Sequence, residues 1–345
     1  MKKLISVVLV VGLISFAWVW SSYQNSLDAK LNIHNEEQVY SIKQGSSLSF
    51  VIYDLYKKKI IHHPRYILLY ARINGLSNEM QAGDYLLSNK LKTQDFLHNI
   101  FKGKVLQYSF TIIEGWSFKQ LIEELKKHPH INHTVGNLSA EDIMNKLQLD
   151  NIHYEGQFLP DTYLFPGQLT DLEFLKRAYK SMQQVLMLEW EQRATGLPYK
   201  SPYEALIMAS IIEKETGLAS EREQIAGVFV RRLEKRMRLQ TDPTVIYGMG
   251  DRYKGNIRKR DLLQDTPYNT YRRAGLPPTP IALPGRKAIY AALHPADGDS
   301  LYFVARGDGS HVFSATLKEH NNAVIKYQLK GRARSFSSYK HNKSN

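Results

Sequence analysis

The chain of 345 residues contains no cysteine at all. That excludes disulfides, thiolate metal sites and cysteine nucleophiles. It does not exclude an oxidising compartment, because a chain this long can bury enough core to fold without covalent staples. Acidic residues are also scarce: 33 Asp and Glu stand against 46 Lys and Arg, a formal net charge of +13. Such a balance favours polyanionic surroundings, whether nucleic acid, anionic headgroups or an acidic wall polymer. There is no H-E-x-x-H motif and no internal repeat. The adjacent His62 and His63 are poorly placed to share one ion, and His294, His311 and His320 are scattered, with core or surface roles as the default. No metal and no cofactor is expected, and Gly307-Asp308-Gly309 reads as a turn rather than a phosphate loop.

What the sequence does have begins at its N-terminus. Lys2 and Lys3 precede an uninterrupted apolar run from Leu4 to Trp20, which is at the short end of what spans a bilayer. The lysines should remain cytoplasmic, so the rest is translocated. A cleaved signal peptide would want small residues at the end of the run; "FAWVWSSY" offers large rings instead, with Trp18, Trp20 and Tyr23 placed as an interfacial belt. The expectation is therefore a single-pass anchor at residues 4–21 with residues 1–3 inside. The remainder would lie outside the cytoplasm, which sets nucleic acid aside as a partner.

Along the rest of the chain the pattern is α+β. Residues 22–38 read as a polar stalk. Residues 39–104 hold a strand, an amphipathic helix on Leu48, Val51, Ile52 and Leu55, a second helix near "RYILLYARIN", a short strand, and a helix from Thr93 to Gly103. Residues 105–330 form the larger domain. In it a strand (Tyr108 to Ile113) leads to a helix capped by Ser117, and "YEGQFLPDTYLFPG" is a loop fixed by Pro160 and Pro166. A long helix covers about Asp171 to Ala194, and a further one, capped near Ser220, reaches Met237 and breaks at "TDPT". A proline-rich segment, 268–285, precedes a short helix and a hairpin turning on Gly307 to Gly309. The basic, serine-rich end, 331–345, reads as a disordered tail.

One stretch stands apart. "ALIMASIIEKETG" reads as an amphipathic helix that ends in two acids, although acids are disfavoured at helix C-termini. At about 100° per residue, Glu215 extends the stripe of Met208, Ile211 and Ile212, whereas Glu213 projects beside Leu206, Ala209 and Ser210. The two therefore do not share one pocket. Desolvation and the helix dipole would both raise the pKa of Glu215, as a general acid requires. On spacing alone, a solvated or ion-paired helix end is the simpler reading.

The order of "MASIIEKETGLASEREQIAGVF", "MRLQTDPTVIYGMG", "YNTYRRAGLPPTPIALPG" and "SLYFVARGDGSHVF" resembles the membrane-anchored endolytic murein transglycosylases, the YceG-like family, from about Val39 to Val324. The anchor fits too, and the resemblance implies the inner (plasma) membrane of a bacterium with the catalytic domain outside the cytoplasm. The resemblance implies a LysM-like module at 39–104 and a catalytic domain at 105–330. It also implies that Glu215, the second glutamate of E-K-E-T, is the catalytic acid. Leu283 departs from the asparagine that the family pattern has before this proline.

The implied substrate is the glycan of peptidoglycan, cut between N-acetylmuramic acid and N-acetylglucosamine to leave 1,6-anhydromuramic ends. The family's role is to terminate growing strands, with peptidoglycan synthases as possible partners. Around Glu215, the cleft candidates for substrate binding are Glu114, Glu213, Gln240, Thr241, Asp242, Tyr247, Asn269 and Tyr271. Two other readings stay open: a muramidase using Glu215 with Asp242 and water, and a non-catalytic scaffold that binds glycan and wall-synthesis enzymes.

Overall fold

The N-terminal apolar run does not end where its composition turns polar. In the computed structural model, which describes residues 2–76, 80–329 and 332, the first helix, α1, covers Lys2–Asp28. Its stretch from Leu4 onward is long and apolar enough to cross a membrane, and none of its most apolar window is buried in the protein. Its last turns behave differently. Ser26 and Leu27 are buried, as are Leu31 and Ile33 just beyond, and the ring of Tyr23 meets that of Tyr66 edge-on at 6.2 Å. The expected polar stalk at 22–38 is therefore corrected. Its apolar residues sit at spacings that complete a core, so much of the segment belongs to the first folded unit.

That unit comprises the described residues up to Ser109 together with Leu164–Leu169. Strand β1 (Glu37–Ile42) pairs antiparallel with β2 (Gly83–Ser88), Tyr40 facing Tyr85 in register. Between them in sequence lie α2 (Leu48–Lys57) and α3 (Pro64–Ile73), and α4 (Thr93–Phe101) follows. Ser47 caps α2 by accepting from the Phe50 amide, and Leu48, Val51, Ile52 and Leu55 form its buried stripe, as the spacing predicts. Tyr85, Leu87, Phe96, Leu97 and Ile100 close the same core.

The second unit takes Phe110–Tyr163 and the described residues from Thr170 onward. Its helices are α5 (Phe118–Leu125), α6 (Ala140–Lys146), α7 (Asp171–Glu191), α8 (Pro202–Glu215), α9 (Arg222–Glu234), α10 (Asp242–Met249), α11 (Lys259–Leu263), α12 (Arg286–Leu293) and α13 (Leu317–Tyr327). A hairpin, Tyr302–Ala305 against His311–Ser314, lies between the last two. Capping boxes at Ser117 and Thr170 start α5 and α7, each satisfying otherwise orphaned amides. Ser220 does not cap α9. It lies in a single 3-10 turn, Ala219–Glu221, and α9 begins behind Glu221 without a side-chain cap. "TDPT" is likewise a start and not only a break: Pro243 falls in the first turn of α10, where its missing N–H costs nothing. The aromatic loop ends in a strand, Thr162–Pro166.

The organising element is α8. The sequence suggests one apolar stripe, yet every residue from Ala205 to Ile212 is buried. A helix wrapped on all sides is a core helix, and each fully buried Leu or Ile contributes roughly 1.5–3 kcal/mol. Here α9, α12 and α7 supply the wrapping, through Ile225, Phe229, Ile289, Leu293, Met182 and Leu186. Its one buried polar side chain inside this run, Ser210, donates to the Ile207 carbonyl at 2.7 Å and accepts from the Ile281 amide at 3.0 Å. The helix is thus a fixed rod, and what stands at its end is held still.

Candidate active site

At that end Glu215 is the last helical residue of α8 and is partly buried. Its Oε1 accepts from the hydroxyl of Thr241. Burial pushes the carboxyl up to about 7, and the nearby charge of Asp242 adds to the rise. The Thr241 hydrogen bond opposes it, as do the charges of His311 and Arg232. A carboxylic acid that keeps its proton near neutral pH can donate it to a leaving oxygen.

Thr241 is placed by a small hydroxyl network. Its amide donates to Thr270 Oγ1 at 3.1 Å, while Thr244 Oγ1 donates to the Thr241 carbonyl at 2.7 Å and lies 2.9 Å from Thr270 Oγ1. The residue before it, Gln240, has an exposed side chain and a φ of +52°. A non-glycine in the left-handed region is uncommon and costs of order 1 kcal/mol; here it turns the chain so that Thr241 faces Glu215. Asp242 is exposed at the N-terminus of α10, where the helix dipole favours its charge, and it accepts from Tyr271 Oη at 2.6 Å. Thr241→Val is expected to raise the pKa of Glu215 further, since it deletes a hydrogen bond that favours the ionised form. The pH profile of kcat/KM would show it as an upward move of the alkaline limb; an unmoved limb would mean that Thr241 does not tune the acid.

Three of the expected cleft residues are occupied elsewhere. Glu213, on the other side of α8, accepts from the Gly285 amide at 2.9 Å and pairs with Arg222 at 3.1 Å, its side chain 5% exposed. Arg222 also reaches Glu114, which is half exposed, at 3.5 Å. Glu213 is therefore a clamp for the turn that begins α12, a correction to its expected role as a substrate ligand. The same turn is laced to Gly115 and Trp116 by two backbone hydrogen bonds of Leu283, which is fully buried. A Cβ at Gly285 would run into the Glu114 carboxylate.

Asn269 is 1% exposed. Its Nδ2 donates to the carbonyls of Leu262 and Gln264 at 3.0 and 2.6 Å, and its Oδ1 accepts from the Tyr271 amide at 2.9 Å. It shapes the loop that presents Tyr271 and has nothing left for a ligand. Tyr247 is half-buried against Tyr268, and its hydroxyl donates to Glu155 at 3.1 Å.

Two residues near this chemistry escaped the sequence reading. Glu155, in the loop taken as a fixed turn, is 2% exposed and also accepts from the Phe118 amide at 2.8 Å. Burial lifts it to about 7 as well. The available signal was an acid amid aromatic and apolar residues, which must be buried or out of place. His311 was left as a default surface or core residue. Its amide and Nδ1 both meet the Glu221 carboxylate, at 2.9 and 2.7 Å. Below them Arg232 is buried, its guanidinium over the Tyr302 ring at 5.1 Å, donating to the carbonyls of Leu301 and Leu239 at 2.6 and 2.7 Å. Arg232→Met would strand those carbonyls, and about 2–4 kcal/mol of stability should be lost, read as a lower urea midpoint with an unchanged m value. Among the described residues no three His, Asp or Glu side chains gather as metal ligands.

Comparison with known proteins shows what the chain as a whole is similar to. Residues 40–326 match the model of the YceG-like family. A Bacillus subtilis protein named endolytic murein transglycosylase is 35% identical over 310 residues, covering 83% of this chain and 84% of its own length. A Streptococcus pneumoniae protein of the same name is 26% identical over 349 residues; the match takes in 88% of this chain and 61% of that protein. The crystal structure of a YceG-like protein from Listeria monocytogenes superposes with a TM-score of 0.52 at 32% identity, covering 83% of this chain and 99% of that one.

Proposed function

The chain belongs to the YceG-like family, and on that premise we propose that it is a lytic endotransglycosylase of peptidoglycan, a lyase with Glu215 as its acid. The observation that carries the assignment of Glu215 is a single carboxyl, fixed at the end of a fully packed helix and held protonated near neutral pH by burial. In the reaction, Glu215 gives its proton to the glycosidic oxygen after an N-acetylmuramic acid unit, and the bond from C1 to that oxygen breaks. The sugar's own O6 then attacks C1 while its hydroxyl proton passes to the Glu215 carboxylate. A 1,6-anhydro ring closes and the acid is restored. Hydrolytic glycosidases need a second carboxylate because their nucleophile comes from outside the sugar; an intramolecular nucleophile removes that need.

Thr241 holds the carboxyl in place, while Gln240, Asp242 and Tyr271 line the approach to it. Glu155 fixes the hydroxyl of Tyr247. The N-terminal helix anchors the enzyme in the plasma membrane with Lys2 and Lys3 on the cytoplasmic side, which sets the catalytic unit against the wall. Residues 39–104 serve as a LysM-like module that binds glycan, and cutting of nascent strands beside the synthases terminates them.

The test is the mass of the products. Fragments released from intact peptidoglycan by the full-length protein should be lighter by one water than hydrolysis products. Reducing ends instead would make the enzyme a muramidase and Asp242 its second carboxylate. Binding without release would leave a scaffold.

A further inference from the structure

A cavity of about 520 Å³ opens at the opposite end of α8 from Glu215, a size suited to a small ligand. Gln157, Gln183, Tyr179, Tyr203, His153 and Met187 are among its lining residues. Gln157 is 2% exposed, its Oε1 accepts from Gln183 Nε2 at 3.4 Å, and its Nε2 has no hydrogen-bond partner among the described residues. An unmet buried donor costs about 1–3 kcal/mol, which a ligand carbonyl at this position would relieve.

Charge narrows the ligand. Among the described residues no Lys, Arg, Asp or Glu lines the cavity, and burial lowers the pKa of His153, which keeps that imidazole neutral at neutral pH. Stem peptides carry carboxylates that would find no cation here. A neutral sugar with an acetamido group meets every feature: its carbonyl suits the amide of Gln157, and its C–H face suits the rings of Tyr179 and Tyr203.

We propose that this cavity is a distal subsite for an N-acetylhexosamine of the glycan strand, its acetamido carbonyl accepting from Gln157 Nε2. This rests on glycan being the substrate, as argued above. Tyr203 stands in the first turn of α8 and Glu215 ends it, which separates the two places by about 18 Å along one rigid helix. A strand long enough to occupy both is held in register, whereas a short one reaches only the acid. The enzyme thereby favours long strands.

Photolabelling of the full-length Glu215→Gln protein in detergent with diazirine-bearing chitotetraose, followed by peptide mapping, tests this. Adducts are expected on segments 179–187 and 201–206, reduced at least tenfold by Gln157→Leu and by Met187→Glu, with labelling near Thr241 retained. Met187 is 44% exposed at the rim, so its substitution decides the matter if the buried change prevents folding. With Glu215 intact, Met187→Glu should raise KM for long strands about tenfold while leaving kcat, and all values for short oligosaccharides, unchanged. Labelling confined to the cleft, distal labelling indifferent to both substitutions, or stronger distal labelling by a stem-peptide probe would overturn the proposal. If wild type releases anhydro ends while the cavity stays unlabelled, the subsite alone falls. If it releases none and tetraose labels neither place, the glycan reading falls with it.

Discussion

Replacing Glu215 with glutamine is expected to lower kcat/KM for glycan cleavage by roughly 10²–10⁴-fold, the usual worth of a positioned general acid, in a protein that still folds. Glutamine keeps the size of the side chain and can still accept from the Thr241 hydroxyl, so the loss would be that of the transferable proton. Wild-type activity should be level below about pH 7 and fall tenfold per unit above it, because the reactive form is the protonated one and burial sets its pKa at about 7. Any residual activity of the variant should lack this limb. A variant with the wild-type limb would locate the acid elsewhere, with Glu155 the first alternative.

The same shift makes a separate statement about stability. Between the ordinary glutamate value near 4.5 and about 7, folded Glu215 holds a proton that the unfolded chain has released. Stability contributed by this group is therefore complete at low pH and is lost as pH rises through that window. The glutamine variant escapes the loss. Its urea midpoint relative to wild type should improve from pH 5 to pH 8, by on the order of 1–3 kcal/mol in free energy. Glu155 contributes with the same sign, since burial raises its pKa too. An active site that is more stable without its acid is what a functional carboxyl in a poorly hydrated place should give.

Gly156→Ala should be a damaging substitution for so small a change. Gly156 has a φ of +81°, and a Cβ there would stand 2.5 Å from Cβ and 2.6 Å from Cγ of Pro280. Neither atom can swing aside, because the proline ring is fixed to its backbone. The left-handed conformation costs alanine about 1 kcal/mol, and forced overpacking typically adds 1–3 kcal/mol. A total of roughly 2–4 kcal/mol corresponds to a fall in Tm of about 5–15 °C for a unit of this size. Activity should suffer below the melting range as well, because the neighbouring Glu155 would be pulled from the Phe118 amide and the Tyr247 hydroxyl. Gly217→Ala is the control: its Cβ would meet nothing within 4 Å among the described residues, and its Tm should stay close to wild type. Equal melting of the two variants would show that the loop yields to the added methyl group.

Much of the molecule was legible without coordinates. The apolar N-terminal run, the stripe Leu48, Val51, Ile52 and Leu55, the cap at Ser117 and the turn at Gly307 to Gly309 are written in residues a few positions apart, where short-range periodicity and capping can report them. The helix wheel set Glu215 on the apolar face, but spacing alone favoured a solvated or ion-paired helix end, and the resemblance of the surrounding motifs is what marked it as the acid. The fate of its neighbours was not legible. Whether a carboxylate lines a cleft or clamps a turn depends on partners far along the chain: Thr241 lies 26 residues from Glu215, Gly285 lies 72 from Glu213, and Tyr247 lies 92 from Glu155. Only packing brings such pairs together. Packing also buried both faces of α8, drew Leu27 and Leu31 out of a supposed stalk into a core, and used up the donors and acceptors of Asn269. The sequence by itself determined most of the local elements and set a carboxyl on the apolar face at the end of one helix. The tertiary structure decided which polar groups were desolvated, and desolvation is what raises the pKa of Glu215.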